Sequence, residues 1–147
     1  MSVFICFGFS KSQTVSCYED NGNLIRFVGS WELCSNKTTS FLTLDDNKSF
    51  RFQKGGGMQN CNNANNREIL NFRLSDQELF LNYQHFSISE TETAFHEINN
   101  DPIVIDFDKK LIIMEIEKKY VYKFHFSQQN ELVLKLDLEE TERLNAQ

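Results

Sequence analysis

Along the last third of the chain, apolar and polar residues alternate with a period of two. Tyr120, Tyr122, Phe124 and Phe126 are separated by Val121, Lys123 and His125. Leu132, Leu134, Leu136 and Leu138 are separated by Val133, Lys135 and Asp137. Successive side chains of a strand point to opposite faces, so each series places its apolar members on one face. On a helix, Leu at i, i+2, i+4 and i+6 would spread around the axis instead of forming a stripe. One aromatic face and one all-Leu face on adjacent strands should line the same interior. Earlier segments repeat the pattern. Leu70-Asn71-Phe72-Arg73-Leu74 turns at Ser75-Asp76-Gln77-Glu78 into Leu79-Phe80-Leu81-Asn82-Tyr83. Ile103-Val104-Ile105-Asp106-Phe107 turns at Asp108-Lys109-Lys110 into the apolar run 111–116. Phe41-Leu42-Thr43-Leu44 and Ser49-Phe50-Arg51-Phe52 flank Asp45-Asp46-Asn47-Lys48, the pattern of a hairpin with a four-residue loop. Residues 27–34 make the first strand.

Turn signals divide the chain into roughly nine or ten such strands. No helical pattern of about 10–15 residues falls between them, which argues against a parallel βαβ sheet. The fold expected is all-β: an up-and-down antiparallel meander that closes into an eight- to ten-stranded barrel, because an open meander leaves strand edges unpaired. Two longer connections interrupt it. The span 53–68 is rich in Gly and Asn and reads as a long loop. The polar stretch 89–101 reads as a lid or a short helix. Residues 13–25 form a polar entry segment, 26–144 the single barrel domain, and 145–147 a frayed tail.

Composition agrees with a β fold. Fourteen Phe against one Pro and six Gly favours pleated, half-buried surfaces. With 147 residues the chain can bury a core without a metal or a disulfide. The formal net charge of −6, with no Lys/Arg cluster beyond Lys109-Lys110 and Lys118-Lys119, speaks against nucleic acid as a partner. The run Val3–Phe9 is too short to span a membrane. Followed by small residues up to Ser12, it reads as the remnant of a signal peptide over 1–12, the alternative being a first strand. That reading places the protein outside the cell or in the periplasm or cell envelope. A lipid anchor at Cys17 is disfavoured, because polar residues separate it from the apolar run. Of the four Cys, at 6, 17, 34 and 61, none forms a CxxC pair. Export would make a disulfide expected, either Cys34 to Cys61 or Cys17 to Cys61.

Little in the sequence carries reaction chemistry. His85, His96 and His125 have spacings that match no metal signature. Asp106, Glu115 and Glu117 lie on one hairpin and read as its outward face. No nucleophile elbow, phosphate loop or dinucleotide fingerprint occurs. The expectation is a non-enzymatic protein without cofactor or metal.

The first strand contains Phe27-Val28-Gly29-Ser30-Trp31-Glu32-Leu33. A Gly-x-Trp at the start of a β-meander resembles the lipocalin signature, most closely that of short bacterial lipocalin-like domains. The resemblance covers about residues 24–144. It implies that Trp31 plugs one end of the barrel, that Gly29 allows close backbone approach there, and that Arg143 packs across the indole as a cation over a ring. The lipocalin Thr-Asp-Tyr run is absent. Residues 35–40 leave no room for the helix pair of the fatty-acid-binding relatives. In a lipocalin-like barrel the cavity would be lined by Phe50, Phe52, Phe72 and Leu81 on one side and by Tyr122, Phe124, Leu134 and Leu136 on the other. Tyr83 and Tyr120 would supply its polar groups. A small apolar ligand is the partner this implies. The alternative is a protein-interaction or inhibitor module that uses loops 53–68 and 89–101 and keeps the barrel as a packed scaffold.

Overall fold

The structure, a computed structural model, describes residues 21–37, 39–43, 48–55, 61–76, 78–88 and 93–147, with residues 21, 88 and 93–102 described by their backbone. The expectations placed on residues 1–20, namely the signal remnant and the chemistry of Cys17, lie outside the described residues.

A short helix, α1 (Asn21–Phe27), precedes β1 (Gly29–Ser35), β2 (Ser49–Lys54), β3 (Asn66–Ser75), β4 (Glu78–Ile88), β5 (Thr93–Pro102), β6 (Val104–Asp106), β7 (Leu111–Ile116), β8 (Lys118–Phe126) and β9 (Leu132–Leu136). A second helix, α2 (Leu138–Asn145), follows. The strands form one antiparallel sheet in the order β5-β4-β3-β1-β2-β9-β8-β7-β6. Its two ends are consecutive pieces of chain, since β5 and β6 are separated only by the buried Ile103. β5 pairs with β4 and β6 pairs with β7, so this bent strand brings the sheet back upon itself. The expected antiparallel barrel is therefore present. From β3 onward it runs up and down. The strand order departs from sequence order at β2, which sits between β1 and β9 on the far side of β1 from β3.

The period-two pattern decides which residues face inward. Along β8 and β9, Tyr122, Phe124, Leu132, Leu134 and Leu136 are buried, while Lys123, His125 and Lys135 are exposed. The ends of the barrel differ. At one end α1 closes the interior: Leu24 and Phe27 are buried and Val28 N–H donates to Leu24 O at 3.2 Å. At the other, open end lie the last residues of β1 and the first residues of β2 and β3.

Four local expectations change. The first strand begins at Gly29, not Phe27, because α1 carries Phe27 into the core. Gly29 has φ of +128°, a backbone conformation that favours Gly, and a Cβ there would also crowd Lys54 Cε at 3.1 Å. Phe41–Thr43 is not a hairpin strand but a turn, with Thr43 N–H donating to Ser40 O at 3.1 Å. Within 89–101, the part expected as a lid or loop from Thr93 onward is strand β5. Asn145, expected in the frayed tail, ends a capped helix. Asp137 accepts from Glu140 N–H at its start, and Asn145 donates to Lys119 O at 2.8 Å at its end.

Candidate functional site

The residues expected to line a cavity do converge inside the barrel. Phe52, Phe72, Leu81 and Tyr83 are buried on one side, and Tyr122, Phe124, Leu134 and Leu136 on the other. Phe50 and Tyr120 are half-buried, packed against the edge of that core. Except for Phe50, which also borders a pocket at the open end, their side chains meet in the packed core. Two aromatic rings from outside the regular strands fill the centre. Phe27, from α1, meets Phe72, Phe107, Phe124 and Phe126 with ring centroids 5.0–5.7 Å apart, all edge-to-face. Phe41 fills the part nearer the open end, edge-to-face with Phe52 at 5.2 Å and with Tyr83 at 5.5 Å, and tilted against Tyr122 at 5.5 Å. A deep central calyx is thus occupied by the chain itself.

Trp31 is fully buried at the closed end, and its Nε1–H donates to Phe27 O at 3.2 Å. The cation beside it is not Arg143. Lys54 Nζ lies 5.4 Å from the indole centroid and also donates to Ile25 O and Arg26 O, each at 3.1 Å. Arg143 instead bonds Glu140 on the exposed face of α2, since the helix turns it away from the barrel.

Above Phe41 sits a buried carboxylate that no sequence motif announced. Glu68 lies on the inward face of β3, in register with Leu33 of β1 and His85 of β4. It is 1% exposed, which makes its hydrogen bonds decisive. Glu68 accepts from Tyr83 OH at 2.7 Å, from Phe41 N–H at 2.9 and 3.1 Å, from Ser40 Oγ–H, and from Asn66 Nδ2 at 3.5 Å. Burial pushes its carboxyl above the usual value, and these donors pull the other way without cancelling it. Burial raises the Tyr83 hydroxyl strongly, and the facing Glu68 carboxylate adds to that. Tyr122 is raised by burial, then by Tyr120 and Glu68, and its buried hydroxyl has no hydrogen-bond partner among the described residues. Of the two tyrosines expected to be polar groups, Tyr83 is one, bonded inside the barrel. Tyr120 is half-buried, stacks on Tyr122 at 6.5 Å, and is raised by burial and by Glu117. The loop expected over 53–68 includes Glu68, which instead lies on β3. Its alternation with Leu70 and Phe72 was the signal for an inward position.

The open end also holds a pocket of about 430 Å³. It arises from a split in the barrel wall. β1 stays paired with β3 as far as Ser35, and β2 stays paired with β9 from Ser49. β1 and β2, however, pair with each other only at Trp31↔Lys54 and Glu32↔Gln53. Beyond those rungs they diverge, and the pocket lies between them. Leu33 and Phe50 give it apolar walls, Ser35, Thr39, Thr43 and Ser49 give hydroxyls, and Glu68 lines it too. Lys37, Lys48 and Arg51 line it with positive charge. On the outer face of β1 beside the split, Cys34 is bonded to Cys61, which selects one of the two pairings left open.

Of the remaining chemical candidates, His85 is buried on β4 and stands opposite His96 of β5 in the backbone register. His125 is exposed, Glu115 and Glu117 are exposed, and Asp106 Oδ1 accepts from Lys109 N–H at 2.9 Å in the turn that follows it. Among the described residues no group of three His, Cys, Asp or Glu is placed to hold a metal ion, and no helix is long and apolar enough to cross a membrane. Comparison of the chain with protein-family models, with curated proteins and with solved structures yields no match.

Proposed function

We propose that the protein is a non-enzymatic, exported, lipocalin-like binding barrel whose small ligand sits in the pocket between the open ends of β1 and β2. The observation that carries this reading is the pocket itself. About 430 Å³ falls within the range of about 300–1,000 Å³ usual for small-molecule sites, and apolar walls with a few polar groups match their chemistry. The aromatic interior beneath serves as its floor, with Phe41 where a deep calyx would begin. Glu68 has its oxygens taken by donors of the fold, which suits a structural carboxylate better than a general acid or base. The Cys34–Cys61 disulfide supports export, since such bonds persist in oxidising compartments.

The test is to fill the pocket. In Ser35→Trp an indole should occupy it, whereas Ile25→Trp adds the same side chain at an exposed position near the closed end. Titration with the fluorophore 8-anilinonaphthalene-1-sulfonate should show one saturable site in wild type and in Ile25→Trp, and none in Ser35→Trp. Equal binding by both variants would place the site elsewhere and overturn the proposal. The competing partner reading keeps less support in the structure, since from Thr93 onward the second of its two loops is strand β5.

A further inference from the structure

We infer that the pocket between β1 and β2 selects organic anions: molecules that join an apolar body to one carboxylate, sulfonate or phosphate group. This rests on the binding-barrel reading above and names its ligand class. The chain carries a net charge of −6 from 15 basic and 21 acidic side chains, yet Lys37, Lys48 and Arg51 all line this one pocket. Among the described residues the acidic one lining it is Glu68, and that carboxylate is occupied. Its oxygens accept from Tyr83 OH, from Phe41 N–H, from Ser40 and from Asn66, so they have little capacity left for a cationic ligand. Arg51 faces Glu131 at 3.5 Å on the outer side of β2, but one carboxylate does not saturate the five donors of a guanidinium. Lys37, Lys48 and Arg51 are solvent-exposed, whereas Leu33 and Phe50 are half-buried against the core. Head group and body are therefore recognised at different depths. The charged end lies at the rim and the apolar end rests on Phe50 and Leu33. Charge-assisted hydrogen bonds at the rim supply the discrimination, and apolar burial supplies the remainder of the affinity.

The experiment compares two fluorophores of nearly the same shape, anionic 8-anilinonaphthalene-1-sulfonate and neutral N-phenyl-1-naphthylamine, on wild type and on the charge reversals Lys37→Glu and Arg51→Glu. Both reversed positions are on the surface, so folding is checked by coincident thermal unfolding curves. The anionic probe should bind wild type at least tenfold more tightly than the neutral one. Each reversal should weaken the anionic probe about tenfold or more and leave the neutral probe within about twofold. Raising the salt concentration should weaken only the anionic probe. Inorganic phosphate alone should fail to displace it at millimolar concentration. Equal affinity for the two probes, or indifference to both reversals, would overturn the anion assignment and leave the pocket reading standing. Full displacement by inorganic phosphate would overturn the apolar half of the assignment. Retention of both probes by Ser35→Trp would instead remove the pocket reading on which the inference rests.

Discussion

Glu68 shows how much one side chain can settle. It holds the turn that inserts Phe41, and it does so from a site where its charge is disfavoured. The folded protein therefore keeps the Glu68 proton to higher pH than the unfolded chain does. Above the ordinary carboxylate value near 4.5 the unfolded state binds fewer protons, so stability falls as pH rises towards the folded value and flattens beyond it. Denaturant unfolding of wild type and Glu68→Gln across this range should show that the difference between them carries this slope, with the amide variant relatively more stable at the higher pH. Glu68→Ala should lose about 1–3 kcal/mol at any pH, because buried donors are left without an acceptor. The two buried tyrosines should respond oppositely. Tyr83→Phe removes a bonded hydroxyl and should cost about 1 kcal/mol or more, whereas Tyr122→Phe removes an unpartnered one and should be neutral or stabilising. At this scale the sequence was legible where alternation was clean. Tyr83 and Tyr122 were readable as inward residues from period two alone. Phe41 and Phe27 were not, because a single apolar residue in a turn or a short helix has no period to read.

Among the elements, β3, β4 and β6 to β9 follow the sequence pattern closely, β5 was hidden in a polar stretch without clean alternation, and the helices were hidden by their brevity. α2 has eight residues, too few for a helical stripe to stand out against the Leu alternation that runs into it. Its start was nevertheless written in Asp137-Leu138-Glu139-Glu140, an N-cap residue with Glu three positions later. Asp137→Ala should destabilise the protein by about 0.5–2 kcal/mol, measured by chemical denaturation, since Glu140 N–H then loses its acceptor. The helix matters to the sheet as well as to itself, because Val121 N–H donates to the buried Thr141 hydroxyl at 2.9 Å. The crossing from β2 to β3 is held differently. Cys34 and Cys61 are 27 residues apart, and a loop of that size should contribute about 3–4 kcal/mol through the unfolded chain. Replacing both by Ser should lower the unfolding midpoint accordingly.

For the molecule as a whole, the class of fold was legible because turns and alternation recur along the entire chain, whereas the site was not. The pocket exists because two neighbouring strands part company after two rungs, and no local pattern records where a pairing stops. The closure of the barrel has the same non-local character. β2 lies between β1 and β9, with Phe50 beside Leu134 and Phe52 beside Leu132, so the seam joins residues some eighty positions apart. During synthesis that seam cannot form until β9 has emerged. Until then β2 and β8 each present an open edge to any other unfinished chain nearby. The protein's most exposed moment is thus its assembly, and folding in the millisecond-to-second range expected for such long-range pairing sets how long that exposure lasts.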